Sequence, residues 1–210
     1  MTNTPSPFDT LQIGPLTLRN RFIKSGANEA MCLDGLPTQA LVKHHSDLAR
    51  GGVGMTTVAY MAVAAVGRTL PNQIWLRPEA LAPLRVLTDA VHQEGAAISA
   101  QITHGGSFVT GMKVKGRLIS SSSGFNPAGM LKGNLLMRAM NRADMDRVIG
   151  EFVTAAQLAR DAGFDAVELH MGHGYLLNQF ISPLSNRRKD EYGGSRSEER
   201  RVGKECRSRW

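Results

Sequence analysis

Two histidines, His170 and His173, stand three residues apart at the end of the apolar segment FDAVELHM. Paired imidazole N–H groups can stabilise a negative charge that develops on a nearby oxygen, which favours a catalytic interpretation. A zinc site also uses two histidines, and Glu168 lies close by in the sequence. No third ligand follows at the spacing of a zinc motif, so we expect no metal. A purely structural role for a histidine on a strand stays open.

Further polar or small residues stand where the other apolar, strand-like segments end. They are Ser25 and Asn28, Tyr60, and Gln101 with His104. The uncharged amide of Gln101 can both donate and accept hydrogen bonds, and it serves either a ligand or the protein core. Ser25, Gly26 and Ala27 are small enough to let a ligand approach the backbone, although small residues at strand ends are often only packing.

Three copies of a helix followed at once by an apolar strand position these side chains. The helices are predicted over residues 38–52, 78–95 and 141–163. Each has a glycine at its end, where the left-handed conformation costs glycine little: Gly51, Gly95 and Gly163. In the third helix, Asn141 and Asp144 resemble a capping box. Its apolar residues form one stripe: Met145, Val148, Ile149, Phe152, Ala156 and Ala159. Other histidines on helix faces are interpreted as solvated or structural: His44, His45 and His92.

With an opening strand over Arg21–Ala27, the elements alternate as in a parallel sheet covered by helices, an α/β fold. The glycine-rich phosphate loops of doubly wound folds are missing from the sequence. In a (β/α)8 barrel the polar strand ends would all meet on one face, where the active sites of that fold lie. We therefore predict a TIM barrel truncated to about its first four β/α units. A β-hairpin over residues 8–21 precedes it, and residues 105–140 form either a substrate-gating loop over the same face or a disordered insertion.

The segment from Gly163 to Ser195 carries a more specific signal. It reads D-x-V-E-x-H into H-x-x-H-G-Y-L, followed by Q-F-x-S-P, N-x-R-x-D and Y-G-G-S. Weaker motifs precede it, namely L-x-N-R at Leu18–Arg21, Gly51–Gly54, Gly67-Arg68 and Gln101-x-x-His104-x-Gly106. In this order and spacing, which span residues 6–195, the motifs resemble the Old Yellow Enzyme family of NADH:flavin oxidoreductases.

The resemblance implies an FMN-dependent ene-reductase, in which NADH or NADPH reduces FMN and the flavin passes hydride to an electron-poor alkene. It implies flavin contacts from Ser25, Gly26, Ala27, Asn28, Tyr60 and Gln101. His170 and His173 would hold the carbonyl oxygen of the substrate, and Tyr175 would supply a proton to the α-carbon. Tyr175 could instead be an ordinary aromatic residue packed at a helix start. Asn28 replaces the cysteine or threonine frequent in relatives, and Cys32 is not expected to substitute for it.

Two alternatives remain beside this interpretation. An iron–sulfur dienoyl-CoA reductase or amine dehydrogenase branch would need a cysteine cluster beyond the barrel. An inactive fragment is the other alternative, since barrel enzymes commonly hold phosphate after strands seven and eight, and only four strands precede Ser195. The full-length protein could form a homo-oligomer.

Composition excludes several classes of function. The chain has 210 residues, 42% of them hydrophobic, and a formal charge of +7. Six of the 25 Lys and Arg residues lie in Arg196–Trp210, which resembles a translated sequencing adaptor. We therefore assign residues 1–195 to the half-barrel and interpret residues 196–210 as a non-native tail, the alternative being a basic arm that binds phosphates. Without a basic patch elsewhere, an apolar span or a leader, we expect no nucleic acid, no membrane and a cytoplasmic location.

Overall fold

A short antiparallel hairpin opens the chain in this computed structural model, which describes residues 4–109 and 111–193. Strand β1 (Leu11–Ile13) pairs with β2 (Leu16–Leu18) across a turn in which Gly14 has a φ of 56°. The predicted hairpin is confirmed, although its strands are shorter than the segment suggested. Arg19 follows it and donates to the carbonyl oxygens of Val53 (3.0 Å) and Glu94 (2.8 Å), which fastens the hairpin to the ends of two helices.

Helices and strands then alternate along the chain. The elements in chain order are β3 (Ile23–Lys24), β4 (Cys32–Leu33), β5 (Leu36–Pro37), α1 (Gln39–Arg50), β6 (Met55–Ala62), α2 (Leu81–Gln93), β7 (Ala97–Thr103), β8 (Leu118–Ser120), β9 (Gly124–Phe125), β10 (Leu136–Ala139), α3 (Arg142–Asp161), β11 (Ala166–Leu169) and α4 (Leu176–Ile181). Short 3-10 helices occupy Ala65–Gly67, Pro78–Ala80 and Pro127–Lys132. The three predicted helix-to-strand units are confirmed as α1 to β6, α2 to β7 and α3 to β11.

The main sheet is parallel and has the order β11-β7-β6-β3. Each new strand is therefore added to the same edge, as in a barrel, whereas a doubly wound sheet reverses direction at a switch point. The opening strand is much shorter than predicted, because only Ile23–Lys24 pair with β6. The pairing of β6 with β7 is interrupted between Val58 and Met61. Tyr60 lies in this bulge.

Between the sheet and helices α1, α2 and α3 lies the larger hydrophobic core, to which β6 and β7 contribute almost wholly buried strands. The capping box of α3 is confirmed, since Asn141 accepts from the backbone N–H of Asp144. The predicted apolar stripe was wrong at Ile149, which is 60% exposed. Consecutive residues are about 100° apart around a helix, so Val148 faces the core and Ile149 faces solvent.

The glycine prediction also needs one correction. Gly95 and Gly163 have φ values of 74° and 90°, the left-handed conformation expected at a helix end. Gly51 instead keeps a helical φ of −68°, and Gly52 takes the left-handed position with a φ of 100°. Two consecutive glycines offered two candidates, and the sequence did not distinguish them.

Residues 105–140 do not form a disordered insertion where the structure describes them. They contain a three-stranded sheet of order β8-β10-β9 and two buried asparagines, Asn126 and Asn134. Asn134 donates to the carbonyl oxygens of Val109 (3.2 Å) and Met112 (2.7 Å), so side-chain amides hold the loop together. The tail predicted at residues 196–210 lies outside the described residues. Within those residues, no helix is both long and apolar enough to cross a bilayer.

Candidate active site

The carboxyl ends of neighbouring strands bring five rings together. Tyr60 comes from β6, Phe108 follows β7, and His170, His173 and Tyr175 follow β11. The ring of Tyr175 stacks on that of Tyr60 with 5.9 Å between centroids and contacts Phe108 and His170 edge-on at 5.6 and 4.8 Å. The two histidine rings lie 5.0 Å apart. Side chains that the sequence separates by more than 100 residues therefore line one end of the sheet.

The two histidines share one hydrogen bond. The backbone N–H of Gly172 donates to His170 Nδ1 at 3.2 Å, so the proton of a neutral His170 is on Nε2. That Nε2 lies 3.1 Å from His173 Nδ1, which must then accept, and the proton of His173 is on its own Nε2. Burial lowers the pKa of His170, and the charge of His173 acts in the same direction. The pair is brought together as expected, but His170 donates to His173.

A left-handed turn sets the orientation of this pair. His173 and Gly174 have φ values of 57° and 73°, and the chain reverses there from β11 into α4. The backbone N–H of Gly174 donates to Asn178 Oδ1 at 3.0 Å, and Gln179 Nε2 donates to the carbonyl oxygen of Gly174 at 2.6 Å. Sequence reasoning matched Gln179 only as part of a motif and assigned neither residue a role. The sequence does contain a signal for both residues, since Asn178 and Gln179 are two successive polar residues in a short helix.

Gln101 is held between its neighbouring strands. Its Oε1 accepts from the backbone N–H of Tyr60 at 3.0 Å, and its Nε2 donates to Glu168 Oε1 at 2.5 Å. An amide has two N–H groups and two acceptor lone pairs, so Gln101 retains one donor and one acceptor position. Gly26 lies directly against this amide, since a Cβ there would be 2.6 Å from Gln101 Nε2. Glycine is therefore needed at position 26 because the amide of Gln101 packs directly against its backbone.

The segment that contains Ser25, Ala27 and Asn28 is exposed beside this cluster. Asn28 Oδ1 accepts from the backbone N–H of Ala30 at 3.1 Å. Asn28 also lines a cavity of about 250 Å³ together with Tyr60 and Cys32. Burial raises the pKa of the Cys32 thiol to about 11, with a contribution from the charge of Glu29. Cys32 therefore lines the same cavity as Asn28, and its thiol is protonated at neutral pH.

A buried polar cluster forms around Glu29, at the end of the same segment. Lys24 Nζ contacts the Glu29 carboxylate and donates to the carbonyl oxygen of Thr57 at 3.0 Å. His45 is fully buried, with Nδ1 2.7 Å from Thr56 Oγ1 and Nε2 3.6 Å from Glu29 Oε1. Burial lowers the pKa of His45 to about 3, with Lys24 acting in the same direction. The structural interpretation of His45 therefore fits its surroundings, whereas the solvated one does not.

His104, the other polar residue predicted at the end of β7, faces inward. It is 2% exposed, its Nδ1 accepts from the backbone N–H of Gly106 at 3.0 Å, and burial lowers its pKa to about 4. A Cβ on Gly67 would lie 2.7 Å from its ring. His104 thus packs tightly against Gly67, and the structure does not bring it into the ring cluster.

Parallel strands added in sequence, with polar side chains at their carboxyl ends, form about half of a (β/α)8 barrel and half of the face on which active sites of that fold lie. The profile of the NADH:flavin oxidoreductase / NADH oxidase family matches residues 7–203. The chain belongs to this family. That assignment confirms the resemblance that the sequence motifs predicted, to a family of flavin-dependent oxidoreductases.

Named relatives agree with this assignment. The chain is 44% identical over 194 residues to 4,4'-dithiodibutanoate disulfide reductase of Rhodococcus erythropolis, covering 91% of this chain and 47% of that protein. It is 36% identical over 196 residues to the NADPH dehydrogenase of Geobacillus sp. (strain WCH70), covering 90% of this chain and 54% of that protein. The chain thus spans about half the length of the curated relatives that it matches.

A solved structure confirms the fold. Old Yellow Enzyme from Pichia sp. AKU4542 superimposes with a TM-score of 0.83 at 24% identity, covering 95% of this chain and 54% of that one. The likeness shows the architecture, a TIM barrel of which this chain supplies the first part. The truncated barrel predicted from the sequence is therefore confirmed.

Proposed function

We propose that the full-length protein reduces electron-poor alkenes such as enones, with NADH or NADPH as the source of electrons and FMN as the carrier. The observation that supports this most directly is the cluster of His170, His173 and Tyr175 beside Gln101 at the barrel mouth. It combines a hydrogen-bond donor for a carbonyl oxygen, the Nε2–H of His173, with a phenol that can give up a proton.

The residues present fit a flavin. The pyrimidine edge of an isoalloxazine ring offers both carbonyl and N–H groups, and Gln101 retains one donor and one acceptor position for such an edge. Gly26 and Ala27 present little side-chain bulk next to it, and Ser25, Asn28 and Tyr60 complete the proposed contact set. When bound, FMN supplies two-electron redox chemistry that the side chains of this chain lack.

His173 is the direct donor to the substrate in this proposal. Its Nε2–H is fixed by the hydrogen bond that His170 makes to its Nδ1 at 3.1 Å. A carbonyl oxygen at that position gains negative charge as the neighbouring alkene is reduced, so the donor binds the transition state more tightly than the substrate. His170 acts mainly by holding His173 in the correct tautomer.

Tyr175 delivers the proton to the α-carbon. Burial raises the pKa of its phenol, and the charge of Tyr60 adds to this, so the hydroxyl stays protonated at neutral pH. The edge-on contact with His170 at 4.8 Å keeps the ring next to the carbonyl donors. Donation by a positioned acid typically contributes about 10²–10⁴-fold in rate.

Stopped-flow absorbance of the full-length enzyme tests this assignment, because it separates reduction of the flavin by NAD(P)H from reoxidation of the flavin by an enone. We expect His173→Ala to slow reoxidation by about 10²–10³-fold, as for the loss of an oxyanion donor. Tyr175→Phe should slow the turnover only of those substrates whose α-carbon needs a proton from the enzyme. Tyr192→Phe, which lies outside the cluster, is the matched control. Reoxidation of His173→Ala by an enone at the unmodified rate would show that the pair is structural.

A second candidate substrate is an organic disulfide. The relative from Rhodococcus erythropolis, 44% identical over 194 residues, is named as a disulfide reductase. The same N–H donor of His173 would stabilise the thiolate that leaves when a disulfide is reduced. Turnover of 4,4'-dithiodibutanoate with release of two thiols, at a rate above that of any enone tested, would favour this candidate over alkene reduction.

A further inference from the structure

The backbone of Tyr60 is held in an unusual conformation. Its φ is 20°, which residues with a side chain rarely adopt, and it lies in the bulge of β6. Two amides hold its peptide groups: Gln101 Oε1 accepts from its N–H at 3.0 Å, and Gln73 Nε2 donates to its carbonyl oxygen at 2.5 Å. Such strain persists only where the surroundings enforce it, and it often accompanies function.

The result of this clamp is the placement of the Tyr60 ring. It lies 5.9 Å from the ring of Tyr175, with only 16° between the two planes. Phe108 and His170 contact the same Tyr175 ring at steep angles of 64° and 76°. Tyr60 thus supplies the flat contact against the proposed proton donor, while the other two rings restrict it from the side.

Gln73 also holds the chain segment at Thr69. Its Oε1 accepts from both the backbone N–H (2.6 Å) and the hydroxyl (3.1 Å) of Thr69. Gln73 thus fixes Thr69 and the Tyr60 carbonyl with one amide. Burial raises the pKa of both tyrosines, and the charge of Tyr60 raises that of Tyr175 further.

We propose that Tyr60 is a positioning residue for Tyr175, whose ring it holds in place by stacking. This role is additional to the proposed flavin contact of Tyr60, and it rests on the proposed function of Tyr175 as the proton donor. The other titratable groups that face the pair are Glu29 and Cys32 on the side of Tyr60, and His170 and His173 on the side of Tyr175.

Ultraviolet titration of tyrosinate in the 210-residue chain tests the coupling without any flavin. The chain has three tyrosines, Tyr60, Tyr175 and Tyr192, so Tyr192→Phe leaves only the pair to be observed. In that background, Tyr60→Phe should lower the midpoint of Tyr175, because a neighbouring phenolate no longer opposes its ionisation. A Tyr175 midpoint that does not move in this variant overturns the proposal.

The kinetic test uses the full-length enzyme. Tyr60→Leu, which removes the ring, should slow reoxidation of the flavin by protonation-dependent enones about 10-fold to 10²-fold, as expected for a misplaced catalytic group. Tyr60→Phe, which keeps the ring, should slow it much less. In a Tyr175→Phe background, Tyr60→Leu should slow the reaction no further. Additive losses in that background would overturn the proposal. If the unmodified enzyme turns over no enone while the midpoints still shift, the proposed function fails and the coupling of the two tyrosines stands.

Discussion

Gly26→Ala is the substitution whose effect the structure defines most closely. The new Cβ would lie 2.6 Å from Gln101 Nε2 and 2.9 Å from both Cδ and Oε1 of the same side chain. No real Cβ tolerates such contacts, so the amide must rotate away. Rotation breaks its hydrogen bond from the backbone N–H of Tyr60 and leaves that donor without a partner. A fully buried N–H left unsatisfied costs about 1–3 kcal/mol, so for this partly buried donor we expect the free energy of unfolding to fall by about 1 kcal/mol.

A double-mutant cycle with Gln101→Ala isolates this mechanism. Gln101→Ala alone should cost a similar amount, because it leaves the same Tyr60 N–H unpaired. Once the amide is absent, Gly26→Ala has nothing to displace, so the second substitution should be nearly neutral. Gly172→Ala is the matched control on the same end of the sheet, since its Cβ would meet no atom closer than His170 Cε1 at 3.5 Å.

Urea denaturation of the 210-residue chain, followed by circular dichroism, measures the cycle, and FMN dissociation from the full-length enzyme supplies a functional readout. We expect Gly26→Ala to weaken FMN binding together with stability, because Gln101 is the proposed partner of the flavin. Strictly additive losses from the two substitutions would refute the clash argument. Unchanged FMN affinity in Gly26→Ala would instead refute the role of Gln101 in binding.

Three further outcomes are expected. Gly150→Ala places its new Cβ with no atom within 4 Å, so it should stabilise α3 by about 0.5–1 kcal/mol and raise the melting temperature. Gly163→Ala, at a φ of 90°, should lower the melting temperature, and equal changes in melting temperature for the two variants would contradict this. Hydrogen bonding by Arg138 lowers the pKa of Asp144 from 3.8 to about 2, so the stability that the Asp144 carboxylate contributes should be lost as pH falls through that interval. Thermal denaturation of Asp144→Asn at acid pH should lack this loss. Leu169 is 52% exposed on β11, which pairs on one side only among the described strands. The chain should therefore self-associate in sedimentation velocity, and Leu169→Lys should reduce the self-association.

Features that depend on neighbouring residues could be predicted from the sequence. Helix-to-strand alternation, the Asn141 capping box and the opening β-hairpin each follow from a few adjacent side chains, and each is present in the structure. The motif around His170 and His173 likewise placed both residues at the end of a strand. Such signals are local because backbone conformation responds first to steric and hydrogen-bonding partners within one turn or one hairpin.

Contacts between distant segments were decided by the tertiary structure. Gln101 meets Glu168 because the register of β7 and β11 sets those two residues opposite each other, and it meets Tyr60 because β6 bulges there. A slip of one residue would turn each side chain to the other face of the sheet. The clamp on Tyr60, the burial of His45 and the direction of the hydrogen bond from His170 to His173 all depend on such placements. The sequence by itself therefore predicted the polar groups near the ends of the strands, although it could not show that His104 faces inward. The packing of the strands determined which of those groups touch, since hydrogen bonds act over about 3 Å and only the folded register brings remote atoms that close.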